Sequence, residues 1–254
     1  MSDAVLLERR GSLAILMLNL PHKRNALAAE LYLQLAEHLQ ALQDDPQCRA
    51  VILSGSPNFC AGGELDGLDV NPQNMRANMR QGHRVIRAVV TGRLPIIAAV
   101  QGAAFGAGLS LASACDFVVA EGNSQFGAVY GKVGVMPDWG VLWTLPQRVG
   151  MARCKRMVMF SQVLDGSQAH AIGLVDELAE PGKALEKAIE MASKLAAAAP
   201  GPLAATKALI ARAQNLDTLL DWEADSQAVL IASEDFAEGR DAFFAKRKAV
   251  FKGR

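Results

Sequence analysis

The carboxyl group best placed for chemistry in this chain is Asp138, at the end of the apolar run "GKVGVMPDWG", residues 131–140. Between Pro137 and Trp139, an Asp can cap a turn or a helix that begins near Trp139-Gly140. It can also be an acid held in a dry pocket. Met136, Trp139 and Tyr130 are apolar enough to desolvate it and to lift its pKa from about 3.9 toward the range of a useful proton carrier. On the residues alone both readings stand.

Two further segments share a design. "VILSGSPNFCAGGEL" is a strand running into Ala61-Gly62-Gly63, and "IIAAVQGAAFGAGLSLA" is a strand running into Gly102 and then Gly106-Ala107-Gly108 at the head of a helix. Small residues let a ligand approach the backbone, and the first N–H groups of a helix lack intrahelical acceptors. Two such N–H groups converging from two strand ends would make an oxyanion hole. Tight packing alone would also account for either turn. Neither is a phosphate loop, because G-x-x-x-x-G-K-[ST] is absent and no G-x-G-x-x-G follows the first strands. The four cysteines, Cys48, Cys60, Cys115 and Cys154, have no metal-ligand spacing and form no CxxC pair, so they read as free thiols in a reducing compartment, with no metal site.

The elements that must position these groups alternate between strand and helix. Val5–Leu7 and Leu13–Leu18 read as a hairpin turning at Arg10-Gly11-Ser12. Asn25 is placed to cap a helix whose apolar stripe runs Leu27, Leu31, Leu35, Leu39 and Leu42. Ala50–Leu53, Ile96–Val100 and Phe117–Ala120 read as buried strands, with helices over Met75–Thr91 and Leu109–Ala114. This alternation is the mark of an α/β fold. Beyond Gly150 helices dominate, apart from a strand expected at Leu174–Leu178. Pro200-Gly201-Pro202 breaks the helical pattern and marks a hinge.

The 254 residues suit one large domain or a domain with a small appendage. With 26 basic and 26 acidic side chains, there is no net field to draw nucleic acid or an anionic membrane. The N-terminus lacks the pattern of a signal peptide and no apolar run reaches membrane-spanning length, so a cytoplasmic protein is expected.

The ordered set "HKRNAL", "NFCAGGEL", "PIIAAVQGAAFGAGLSLASACD", "QRVGMARCKRMVM" and "AFFAKRKAVF" resembles the crotonase, or enoyl-CoA hydratase/isomerase, family over essentially the whole chain. The resemblance implies a spiral of β-β-α units in residues 1–199, holding the active site. It also implies a helical C-terminal segment, 200–254, that mediates trimers, which commonly pair into hexamers. The ligand it implies is an acyl-coenzyme A thioester, with no other cofactor. The oxyanion donors would be the backbone N–H groups of Gly63 and Ala107. Coenzyme A would lie against Arg24, Ala26 and Ala61, with Phe243 and Lys246 covering its nucleotide end. The acyl pocket would draw on the region Leu65–Gly82.

The family's hydratases use two glutamates, at positions held here by Ser110 and Tyr130. Neither group is a good base near neutrality. The "G-x-x-P-[DE]" of single-acid enoyl-CoA isomerases and of phenylacetate-pathway ring isomerases is matched by Gly134–Asp138. The resemblance therefore implies an isomerase that moves a double bond from C3 to C2, with Asp138 as acid and base. Three alternatives remain: a hydratase, a catalytically silent acyl-CoA binder, and an aryl-CoA hydrolase or dehalogenase. In the last, Asp138 is the nucleophile and His83, twelve residues before Pro95, activates water. Glu64, beside Gly63, and Cys60 are expected to serve local loop structure and packing.

Overall fold

The computed structural model describes residues 3–66, 71–212 and 215–254. Strands β1 (Val5–Arg10) and β2 (Leu13–Leu18) form the expected antiparallel hairpin. From β2 the sheet continues in parallel through β3 (Ala50–Gly55) and β4 (Ile96–Val100). A second sheet holds β5 (Ala103–Phe105). The first ends with β6 (Phe117–Glu121) and β9 (Glu177–Ala179), and the second with β7 (Gln125–Gly127) and β8 (Val163–Asp165).

The chain crosses from the first sheet to the second repeatedly and then forms a helix. β3 leads to a bridge between Cys60 and Ala104, then to α2 (Pro72–Thr91). β4 turns at Gly102, φ +62°, into β5 and α3 (Ala107–Ala114). β6 turns into β7, a 3-10 segment over Val129–Val133, and α4 (Val141–Val149). These are the β-β-α units of the expected spiral. Because β3, β4 and β6 run parallel, the chain leaves each of them at the same end of the first sheet, which is how separated segments reach one site.

Burial explains the layers. Leu31, Leu35, Leu39 and Leu42 are all 1% exposed or less, so the apolar stripe of α1 (Ala29–Asp44) lies against the sheet as its spacing predicts. Leu27, expected in that stripe, is buried just ahead of the helix, where it bridges Gly63. Burying one such side chain stabilises by roughly 1.5–3 kcal/mol. Alternate residues face opposite ways along a strand. Ala14, Leu16 and Leu18 join the core under α1, while Leu13 and Ile15 pack beneath Ala188 and Ala192 of α7 (Ala184–Ala196). Both faces of the strands are thus covered, as their near-continuous apolar runs require.

The remaining helices are α5 (Met151–Met159), α6 (Gly166–Ala171), α8 (Pro200–Arg212), α9 (Leu216–Leu230) and α10 (Glu234–Phe244). The Pro-Gly-Pro expected to break the helix does separate α7 from α8, but it forms the first turn of α8 itself. Proline fits there because the first helical N–H groups have no intrahelical acceptor. Lys207 ties α8 to the sheet, with Nζ donating to Asp116 Oδ2 at 2.6 Å and to the Leu94 carbonyl at 2.7 Å. No helix among the described residues is long and apolar enough to cross a membrane.

Local expectations needed correction. Asn25 caps no helix: α1 starts at Ala29 with no side-chain cap. Instead Asn25 is fully buried with φ +55°, accepts from the Leu20 N–H at 2.8 Å and donates to the Asn58 carbonyl at 2.7 Å. Its short amide does better bridging two loops than ending one helix. The strand expected at Leu174–Leu178 is β9, over Glu177–Ala179. Leu174 and Val175 instead fold back onto Ala169 through backbone bonds. Helix α2 begins three residues earlier than its periodicity suggests, because Asn71 caps it by accepting from Gln73 and Asn74.

Candidate active site

The two glycine loops meet. Cys60 N–H donates to the Ala103 carbonyl at 2.9 Å and Phe105 N–H to the Cys60 carbonyl at 3.0 Å, so the loops are laced edge to edge. A methyl group on Gly62 would lie 3.0 Å from the Phe105 carbonyl oxygen, and one on Gly108 only 2.3 Å from that of Cys60. Gly62 at φ +115° and Gly106 at φ +50° take backbones that side chains rarely adopt. Among the described residues, no backbone acceptor outside the regular elements takes the N–H of Gly63 or of Ala107. Ala107 opens α3, where the first N–H groups have no intrahelical acceptor. Two free donors on touching loops have the parts of an oxyanion hole.

Asp138 is not a helix cap. Helix α4 starts at Val141 behind Gly140, with no side-chain cap. The Asp138 backbone carbonyl accepts the Val141 N–H at 3.1 Å, while Oδ1 of the side chain is buried without a hydrogen-bond partner. Burial pushes the carboxyl from its ordinary 3.8 to about 6, opposed only by its own N–H. Of the three neighbours expected to bury it, Trp139 and Tyr130 are themselves buried, whereas Met136 is 71% exposed. Trp139 is held at φ +49°, with its ring edge-on to Tyr32 at 5.9 Å and against Gly82. A methyl on Gly82 would sit 2.7 Å from the indole. A glycine inside an otherwise helical pattern was the sequence signal for this close approach.

The two hydroxyl residues at the glutamate positions touch each other. Ser110, fully buried on α3, hydrogen-bonds Tyr130, and its Oγ also lies 3.0 Å from the Asp138 carbonyl oxygen. Burial pushes the Tyr130 phenol well above its usual range.

The family model described as enoyl-CoA hydratase/isomerase matches residues 8–254. The chain belongs to the enoyl-CoA hydratase/isomerase family. The 1,2-epoxyphenylacetyl-CoA isomerase of Escherichia coli is 32% identical, with 100% of both chains covered. The crotonyl-CoA hydratase of Syntrophomonas wolfei is 31% identical, with 98% of each covered. An enoyl-CoA hydratase structure from Polaromonas sp. JS666 superposes with a TM-score of 0.92 at 37% identity, covering 97% of this chain and 99% of that one. A second, from Bacillus anthracis, gives 0.93 at 28% identity, covering 99% and 100%. The fold is therefore the crotonase fold and the chain is an enzyme of the hydratase/isomerase class. The relatives' names divide between hydratase and isomerase.

The structure brings some of the other predicted residues of this family member together. Ala61 N–H donates to the Arg24 carbonyl at 3.1 Å, and Leu27 N–H to that of Gly62 at 2.7 Å. Arg24, Ala26 and Ala61 thus line one edge beside Gly63, with the Arg24 side chain exposed. Glu64 pairs with Lys23 at 2.8 Å, and Cys60 is buried with its thiol pushed up to about 12, as their structural roles require. Phe243 and Lys246 lie exposed at the end of α10, and no hydrogen bond or ion pair among the described residues joins them to this edge. His83 is half-buried on α2, next to the Gly82 that packs on Trp139. Of the region Leu65–Gly82, residues 67–70 lie outside the described residues.

Proposed function

We propose that this enzyme is an enoyl-CoA isomerase that moves a double bond from C3 to C2, with Asp138 as the only acid/base. One observation carries the reading: Asp138, tied through Ser110 to the helix that opens with Ala107, is a carboxyl desolvated to about 6, while the hydratase glutamate positions hold Ser110 and Tyr130 and Glu64 beside Gly63 is paired with Lys23. The thioester carbonyl oxygen sits between the N–H groups of Gly63 and Ala107. Asp138 takes a proton from the α-carbon, the thioester becomes an enolate, and the same carboxyl returns the proton at the γ-carbon. One proton leaves and one is returned, so the step needs no redox partner and no cofactor beyond the coenzyme A of the substrate. A donor of this kind is worth about 2.7–4 kcal/mol in the transition state.

The coenzyme A is assigned to the edge formed by Arg24, Ala26 and Ala61, with Phe243 and Lys246 of the helical segment 200–254 covering its nucleotide end. That segment is assigned to a homotrimer or a dimer of trimers in the cytoplasm. Its large exposed side chains, among them Phe243, Phe244 and Val229 at 79%, 77% and 73%, support such an interface.

The test is the ultraviolet absorbance of a conjugated enoyl thioester after enzyme is added to a 3-enoyl-CoA. Wild type should produce it and Asp138→Asn should bind substrate without producing it. The relatives named as hydratases support a second reading, water addition to a 2-enoyl-CoA, and loss of absorbance from that substrate would establish it instead.

A further inference from the structure

We infer that Ser110 and Tyr130 form a two-hydroxyl brace that holds the backbone at Asp138, so that the acid is set relative to the oxyanion donor Ala107, on whose helix Ser110 itself rides. The inference rests on the reading of Asp138 as the acid/base.

The proton count decides the direction of the brace. Ser110 Oγ has three oxygen neighbours: Tyr130 Oη, the Asp138 carbonyl at 3.0 Å and the Gly106 carbonyl at 3.4 Å. It has a single proton to give. A carbonyl oxygen carries no proton, so a 3.0 Å approach is attractive only if Ser110 donates. Tyr130 must then donate to Ser110. The order is Tyr130 O–H to Ser110 Oγ, and Ser110 O–H to the Asp138 carbonyl. The Val141 N–H donates to the same carbonyl oxygen at 3.1 Å, so that oxygen accepts from two donors.

This grip falls where the chain needs it. The next residue, Trp139, has φ +49°, a backbone that a bulky side chain adopts only when its surroundings impose it. The carboxylate has no partner on Oδ1 to aim it, so its direction is set through the backbone. Ser110 stands one helical turn after Ala107, one of the proposed oxyanion donors, and Tyr130 Cε1 lies 3.9 Å from where a Gly106 methyl would be. The brace therefore sets the separation between the oxyanion donor and the acid. Tyr130 is a positioning residue in this arrangement, because its phenol proton is committed to Ser110.

Tyr130→Phe, Ser110→Ala and the double variant test the brace, assayed for isomerisation of a 3-enoyl-CoA with thermal stability measured alongside. Displacing the acid by about 1 Å corresponds to a fall in kcat on the order of 100-fold. Each single variant should approach this with KM little changed, and the double variant should be no slower than Ser110→Ala. Tyr130→Phe keeps the buried ring, so it carries the test if Ser110→Ala fails to fold. Losses that multiply in the double variant, or wild-type kcat in either single one, would overturn the brace. If the wild type isomerises no 3-enoyl-CoA, the isomerase reading has failed, and the brace is read without turnover. The infrared carboxyl band of isotope-labelled Asp138, identified by its loss in Asp138→Asn, should then titrate near 6 in wild type and nearer 4 in Ser110→Ala. An unchanged midpoint would dispose of the brace independently of the reaction.

Discussion

Replacing Asp138 by Asn should make the protein inactive and, at neutral pH, more stable. The buried carboxyl is protonated more readily in the folded chain than in the unfolded one, about 6 against 3.8. Between these values the folded state binds the extra proton, so stability falls as pH rises through that window. At ~1.4 kcal/mol per pKa unit the charge costs about 3 kcal/mol above pH 7, about half of that at pH 5, and nothing below about pH 3.5. Asn carries no charge at any pH, so Asp138→Asn escapes this cost. It adds an amide whose own bonding contributes a constant offset. The measurement is therefore the pH dependence of the difference: urea unfolding of both proteins at pH 5 and pH 8, followed by far-ultraviolet circular dichroism at one protein concentration. The advantage of the variant should grow by about 1.5 kcal/mol between the two values. A difference independent of pH, or a wild type that gains on the variant as pH rises, would show that the carboxyl is not desolvated in the folded protein.

Turnover should follow the same group: kcat/KM for a 3-enoyl-CoA should rise with pH to a plateau with a midpoint near 6, since the base must start ionised, whereas a midpoint near 4 would place Asp138 in water. Gly82→Ala puts a methyl 2.7 Å from the Trp139 indole; a shift of the acid by about 1 Å should lower kcat on the order of 100-fold, read by steady-state kinetics against an unchanged far-ultraviolet spectrum. Lys207→Met leaves Asp116 without its 2.6 Å partner and should destabilise by about 3 kcal/mol, seen as a lower midpoint in urea at pH 8. Ala107→Val adds bulk at a position only 2% exposed and should abolish turnover, with binding of an acyl-CoA measured by calorimetry lost in parallel.

Periodicity and glycine placement made much of the framework legible in the amino-acid order. The leucine stripe of α1 is buried as its spacing implies, and Ile96–Val100 forms a strand with the expected ends. These follow from local rules: a face every 3.6 residues must find a core, and a short apolar run bounded by Pro and Gly is a strand. The glycine turns and Asp138 were also legible as candidates, because few residue types suit tight backbone approach or proton transfer.

Only the tertiary structure decided that Asp138 is a desolvated carboxyl and not a helix cap. Cap and acid look alike in "VMPDWG". The difference lies in groups far along the chain: Gly82 and Tyr32 that receive Trp139, and Ser110 and Tyr130 that meet across 20 residues. Met136, next but one in sequence and expected to help bury Asp138, is instead 71% exposed. Periodicity assigns a residue to a face of its own element. Which hydroxyl reaches which carbonyl depends on how the elements pack, and that packing sets both the desolvation and the aim of the acid.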